Sequence, residues 1–256
     1  MSRFSHPDTA ALVLAAGMGK RMNSDLAKVL HPMAGHPLLW HVLATLDDLG
    51  VARKVVVIGH QRERVLEAFA GRADLEWAVQ AEQRGTGHAC MVAEPSLDGF
   101  DGTLLVVCGD TPLLTPGTLH ALLETHASSG ASVTVLSMRL PDPKGYGRIV
   151  RTADGTGIER IVEEKDAAAA ERALDEVNSG IYAFRWRSLT GVLDRLTAEN
   201  AQGEYYLTDT VSLLRARGEK AAVVCAKDHR ELLGINTVDQ LAEAEAVYRA
   251  MRGERG

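Results

Sequence analysis

Residues 12–30 read LVLAAGMGKRMNSDLAKVL. An apolar run enters two glycines one residue apart, Gly17 and Gly19, and continues into a segment carrying Lys20, Arg21 and Lys28. The run itself, AALVLAA at 10–16, has the uninterrupted apolar character of a strand buried on both faces, as in a parallel sheet. Two further runs repeat it, KVVVIG at 54–59 and TLLVVCGD at 103–110. Helix-like stretches lie between: PLLWHVLATLDDLG at 37–50, with Pro37 near its start and Gly50 as its stop, then RERVLEAFAG at 62–71 and GTGHACMVAEP at 85–95. The alternation predicts an α/β fold, a Rossmann-like, mostly parallel sheet flanked by helices.

In such a sheet ligands gather at the carboxyl ends of the strands. Gly17, Gly59, Gly85 and Asp110 therefore mark the expected walls of a site. The glycine loop fits neither familiar nucleotide motif: Met22 stands where G-x-G-x-x-G needs its third glycine, and Leu14 and Arg21 stand where a P-loop needs Gly and Ser or Thr. Its physics is still that of an anion cradle, with glycines that let backbone N–H groups approach a phosphate and cations close behind.

From Ser132 the pattern changes. SVTVLSMRL (132–140), GYGRIVRT (145–152), GIERIVEEK (157–165) and EVNSGIYAF (176–184) are four strand-like pieces, read as a second, strand-rich lobe set on the main sheet. Helical patterns return at 186–197 and 207–217, a strand follows at 221–226, and a last helix runs over 237–252. No linker or repeat divides the chain, so one domain over 1–256 is expected.

Composition bounds the function. The chain has 256 residues, 46% of them hydrophobic, and a formal charge of −6 from 28 basic and 34 acidic residues that are interspersed along it. That argues against a broad nucleic-acid or anionic-membrane surface, and no apolar run reaches the ~20 residues of a membrane span. Cys90, Cys108 and Cys225 are too few and too scattered for a redox pair, zinc site or disulfide framework, which suits reduced thiols in a cytoplasm.

The opening segment resembles the L-A-A-G-x-G-T-R-M … P-K-x-L signature of nucleoside-triphosphate:sugar-1-phosphate nucleotidyltransferases. QAEQRGTGHA (80–89), GDTPLL (109–114), GYGRI (145–149), IVEEKDA (161–167), EVNSGIY (176–182), NAQGEYYLTD (200–209) and GINT (234–237) match further segments of that family in order. The likeness is greatest to the uridyltransferase domain of the bacterial bifunctional enzyme that makes UDP-N-acetylglucosamine.

The resemblance implies attack of a sugar-1-phosphate oxygen on the α-phosphorus of UTP, with Mg2+ and without a general base, because the second pKa of a phosphomonoester is about 6. It implies that Arg21, Lys28 and Asp110 carry the chemistry. Asp110 and Asn236 would hold the magnesium, a sparse set suited to an ion that keeps water and phosphate ligands. Leu14, Ala15, Ala16, Gly17 and Lys28 would meet the nucleotide, with Cys108, Gly109 and Asp110 beside them. Gln80, Gly85 and Thr86 would read the uracil, whose edge has one N–H between two carbonyls. Gly147, Glu163 and Asn178 would hold the N-acetylated sugar, with Tyr205 and Tyr206 as packing surfaces; His88 is read as structural.

Residues 1–131 and 207–256 would thus serve nucleotide and metal, and 132–206 the sugar. The expected product is UDP-N-acetylglucosamine, a precursor for peptidoglycan and lipopolysaccharide. Another sugar-1-phosphate, a thymidylyl donor, or a non-catalytic sugar-nucleotide-binding protein are the alternatives.

Two residues depart from the signature. Lys20 replaces threonine and either adds a phosphate contact or faces solvent; Ala27 replaces proline and is expected to loosen the approach to Lys28. The hexapeptide repeats of the family's acetyltransferase β-helix are not among residues 1–256, so acetyl transfer is not expected of them. The family's trimer rests on that β-helix, so a monomer or weak homo-oligomer is expected.

Overall fold

The computed structural model describes residues 4–22 and 24–251, and of Lys20 the backbone alone. The expectation for the Lys20 side chain therefore lies outside what is described. In chain order the strands are β1 (Thr9–Leu14), β2 (Pro32–Met33), β3 (His36–Pro37), β4 (Arg53–Ile58), β5 (Leu75–Val79), β6 (Thr103–Cys108), β7 (Val133–Arg139), β8 (Arg148–Arg151), β9 (Ile158–Val162), β10 (Glu176–Arg185) and β11 (Ala221–Cys225). The helices are α1 (Leu38–Leu49), α2 (Arg62–Ala68), α3 (Thr86–Ala93), α4 (Pro116–Ser129), α5 (Ala169–Arg172), α6 (Trp186–Leu193), α7 (Asp209–Ala216) and α8 (Val238–Met251).

The main sheet runs β11-β7-β10-β6-β1-β4-β5. All its pairings are parallel except those of β10, which lies antiparallel between β6 and β7. Burial on both faces explains the unbroken apolar runs, because alternate residues of one strand enter different cores. Ala11 and Val13 of β1 pack toward α1 and α4 with Leu43, Leu46, Leu119 and Leu122. Ala10 and Leu12 pack the other way, with Cys90 of α3, Leu189 of α6 and Val211 of α7.

The four strands expected as a second lobe divide differently. β7 and β10 are central strands of the main sheet, whereas β8 and β9 form a hairpin that joins it where Arg148 pairs with Val177. Periodicity shows that a segment is a strand but not which neighbour it takes.

Strand order then places the site. The chain leaves β1 for β4 on one side and returns through α3 to β6 on the other, so the β1 and β6 carboxyl ends flank the crevice where α/β sheets bind ligands. A third, small core fastens the loops at this crevice. Met22 from the glycine loop, Leu113 from the segment after β6 and Ile235 before α8 are each at most 4% exposed and share it with Ala244 of α8.

Candidate active site

The loop after β1 reaches the crevice by a turn that only glycine accommodates. Gly19 has φ +60°, and a Cβ on it would lie 2.7 Å from the Lys28 Cβ. Gly17 differs, because a Cβ there would meet nothing within 4 Å. Its bare backbone faces open cleft, where a ligand can approach it.

Lys28 is aimed by the segment before it. Ala27 is buried, with φ −53°, and its N–H donates to Gln61 Oε1 at 3.0 Å. That φ lies in the range proline would impose, and the hydrogen bond uses an N–H proline lacks. The expected loosening at Ala27 is therefore offset by Gln61.

Four side chains from three distant segments converge here. The Lys28 ammonium is ion-paired with Asp110 Oδ2 and donates to Asn236 Oδ1 at 2.8 Å, and Arg21 donates to the same Asn236 oxygen at 2.9 Å. The Ile235 N–H bonds the Asp110 carbonyl at 3.0 Å, so the loop carrying Asn236 is stitched to the loop carrying Asp110. One carboxylate oxygen and one amide oxygen thus turn toward a single cation. That is a hard-oxygen pair a magnesium ion could share while keeping its other ligands from water and phosphate. Among the described residues there is no cluster of three or more His, Cys, Asp and Glu that would compete as a metal site.

Beside this cluster opens a cleft of about 260 Å³, lined by Leu14, Ala16 and Gly17 from the first loop, Gln80, Gly85 and Thr86 from beyond β5, and Cys108 and Asp110 from the end of β6. Ala15 and Gly109 stand just behind this lining: the Ala15 side chain belongs to the core under α1, and a Cβ on Gly109 would press on Ala15 at 3.2 Å. Gln80 is 3% exposed, and its Nε2 donates to the Gly85 carbonyl at 3.0 Å and to His88 Nδ1 at 3.1 Å. Gly85 has φ +104°, and a Cβ there would strike the Tyr205 carbonyl at 2.5 Å. Thr86 Oγ1 accepts from the Leu207 N–H at 3.1 Å.

Cys108 Sγ contacts the Gly180 carbonyl at 3.6 Å, and burial, helped by Asp110, pushes the thiol up to about 12. That shift disfavours the thiolate a nucleophile would need. Gly180 sits at a shift of register in β10 between Asn178 and Ile181, a bulge that re-aims Asn178 at the crevice end of the sheet.

Asn178 meets Gly147 there through its backbone, while its side chain donates to the Tyr182 hydroxyl at 2.7 Å and accepts from the Gly180 N–H at 3.1 Å. The Asn178 N–H donates to the Gly147 carbonyl at 2.8 Å, and a Cβ on Gly147 would lie 3.5 Å from Glu163 Oε2. Glu163 accepts from the Thr208 hydroxyl at 3.0 Å. Burial holds its carboxyl above the usual range; the Thr208 bond opposes this, and Asp209, Asp166 and Glu204 add to it.

The segment 204–208 ties the two halves together. The Tyr205 backbone bonds Arg84 and Gly87, the Leu207 N–H bonds Thr86, and Thr208 bonds Glu163. Of the two tyrosines, Tyr206 is buried with its hydroxyl on Asp166, and Tyr205, half-buried, lies under the Arg84 guanidinium, 4.9 Å from ring centre to Cζ. Sequence reasoning missed Gln83 and Glu204, which line the cleft, and Thr208 as the partner of Glu163. GEYYLTD was visible as a motif, but its role as a bridge was not.

The MobA-like NTP transferase domain family matches residues 11–177. The chain is 52% identical over 237 residues to the bifunctional protein GlmU of Heliobacterium modesticaldum, covering 93% of this chain and 51% of that protein. To GlmU of Streptomyces griseus it is 48% identical over 248 residues, covering 96% and 52%. The chain thus spans about half the length of the curated relatives it matches. The fold is shared with a putative glucose-1-phosphate thymidylyltransferase from Bacillus anthracis, solved with sucrose, at a TM-score of 0.73 and 18% identity, over 94% of this chain and 95% of that one. With about two thirds of its length matched by the family and both the glycine loop and Asp110 inside the match, the chain belongs to the MobA-like NTP transferase family.

Proposed function

We propose that this chain transfers the uridylyl group of UTP to N-acetylglucosamine-1-phosphate, giving UDP-N-acetylglucosamine and pyrophosphate in the cytoplasm. The observation that carries the reading is the convergence of Arg21 and Lys28 on Asp110 and Asn236 beside the cleft that holds Gln80. The nucleophile is a phosphate oxygen that is already ionised near neutral pH. An oxygen–phosphorus bond forms at the α-phosphorus as the bond to pyrophosphate breaks. What the protein must supply is alignment and positive charge.

Lys28 and Arg21 supply that charge. In the free protein Lys28 is the counterion of Asp110; Asp110 and Asn236 are the residues that would hold magnesium, with Lys28 beside them to meet the phosphates. Bound magnesium supplies further positive charge at the phosphate oxygens. Gly17 lets the loop backbone meet the nucleotide, and Gln80 with Gly85 faces the base. Residues 132–206 serve mainly the sugar, through Gly147, Glu163 and Asn178, and the flanking segments serve mainly nucleotide and metal.

The test is pyrophosphate release from UTP and N-acetylglucosamine-1-phosphate, with and without magnesium, against glucose-1-phosphate. Magnesium-dependent turnover that prefers the N-acetylated sugar is expected. Asp110→Ala should lower it about 100-fold or more while the protein remains folded by circular dichroism. No turnover in any mixture would overturn the enzymatic reading, preference for glucose-1-phosphate the sugar assignment, and a fully active Asp110→Ala the metal role.

A further inference from the structure

His88 projects from the first turn of α3, half-buried, with its Nδ1 3.1 Å from Gln80 Nε2. An amide NH2 can only donate, so Nδ1 is the acceptor and the imidazole proton is on Nε2. The second hydrogen of the same NH2 goes to the Gly85 carbonyl at 3.0 Å. That carbonyl cannot donate, so turning the amide over would set oxygen against oxygen. Both hydrogens are therefore committed. Among the described residues Oε1 has no protein partner, and it belongs to a side chain that lines the cleft.

Neither anchor suffices alone. The Gly85 carbonyl also accepts the Ala89 N–H of α3 at 3.2 Å, so its bond to Gln80 is shared. One such bond leaves the amide free to swing about it. The second bond, to His88, fixes the amide plane and with it the direction of Oε1.

We propose that His88 is a positioning residue for nucleotide choice: its Nδ1 locks the Gln80 amide so that only an acceptor, Oε1, is offered to the base, selecting a base with an N–H on the facing edge over one with a lone pair there. Uracil and thymine carry that N–H at N3; cytosine has a bare N3, which Oε1 repels. A site built to hydrogen-bond a donor rejects an analogue lacking it, because its own acceptor is left unpaired. This rests on Gln80 facing the base, as proposed above.

The test compares kcat/KM for UTP, dTTP and CTP with N-acetylglucosamine-1-phosphate, in the whole chain and three variants. His88→Ala keeps a strong helix former in α3, and His88→Leu keeps the bulk; both remove the acceptor. In each, the UTP-over-CTP ratio should fall about tenfold or more, mainly through a higher KM for UTP, while the UTP-over-dTTP ratio stays put because both bases show the same edge. His88→Asn, whose Oδ1 stands where Nδ1 stood, should keep the parent ratio.

An unchanged UTP-over-CTP ratio in His88→Ala or His88→Leu overturns the proposal. So does a loss in His88→Asn equal to theirs, since the ring and not its acceptor would then matter. A parent protein that uses UTP and CTP equally would instead overturn the assignment of Gln80 to the base, and the proposal with it.

Discussion

At the scale of single residues, the polar groups at the crevice are already partnered before any ligand arrives. Lys28 is ion-paired with Asp110, and Lys28 and Arg21 both donate to the neutral Asn236 oxygen, so Arg21 can pass to a phosphate without stranding a carboxylate. Glu163 is the exception, a mostly buried carboxylate that accepts from the Thr208 hydroxyl and whose neighbours Asp166, Glu204 and Asp209 are also acidic. Only the ionised form accepts hydrogen bonds from sugar hydroxyls on both oxygens, so sugar affinity should weaken as pH falls through its raised pKa. Thr208 holds that pKa down. Thr208→Val should therefore raise the KM for the sugar phosphate about fivefold near neutral pH and move the acid limb of 1/KM to higher pH. The substrate phosphate titrates near 6 in both proteins, so the displacement between parent and variant isolates Glu163, and superimposed profiles would refute its role.

At the scale of elements, helix ends and strand pairings explain how precisely the loops are held. Thr115 caps the start of α4, its side chain accepting from the Thr118 N–H, and the hydroxyls of Thr115 and Thr118 donate to Glu231 at 2.7 and 2.6 Å, anchoring the approach to Asn236. The last turn of the same helix holds His126, buried against Thr134 of β7 with 2.9 Å between Nδ1 and Oγ1. A helix C-terminus favours an imidazolium, but burial, aided by Arg185, wins and lowers this histidine to about 4 from 6.5. The unfolded chain then takes up a proton as pH drops below 6.5, while the folded chain does not until about 4. Stability should accordingly decline between those values by roughly 3 kcal/mol on this account. Denaturant unfolding at pH 7 and pH 4 measures it: His126→Leu should fall less over the interval than the parent, and an equal fall would place the acid sensitivity elsewhere.

At the scale of the molecule, legibility followed the source of each signal. β1, β4 and β6 were readable because burial on both faces leaves no polar residue to interrupt them, and α1 because Pro37 and Gly50 stand at its two ends. β5 is hard to read because Glu76 and an exposed Val79 blur an edge strand, and α4 because Leu119, Leu122 and Leu123 with His126 are the residues that mark its buried side. The site's residue types were readable through the resemblance, whereas the Gln61 bond to Ala27 and the Thr208 bond to Glu163 join distant segments and leave no local pattern. The same long-range joining makes the molecule one cooperative unit: Ala11 and Val13 of β1 share a core with Leu136, Val177 and Ile181, so the nucleotide and sugar portions have no separate interior. Ligand at one portion must then stabilise both. UTP at 100 times its Kd adds about 2.7 kcal/mol, which in a domain of this size shifts Tm by about 5–10 °C. A single thermal transition should move as a whole, and Gln80→Ala should reduce the shift at the same UTP concentration. A second transition that UTP leaves in place would show that the two portions unfold apart.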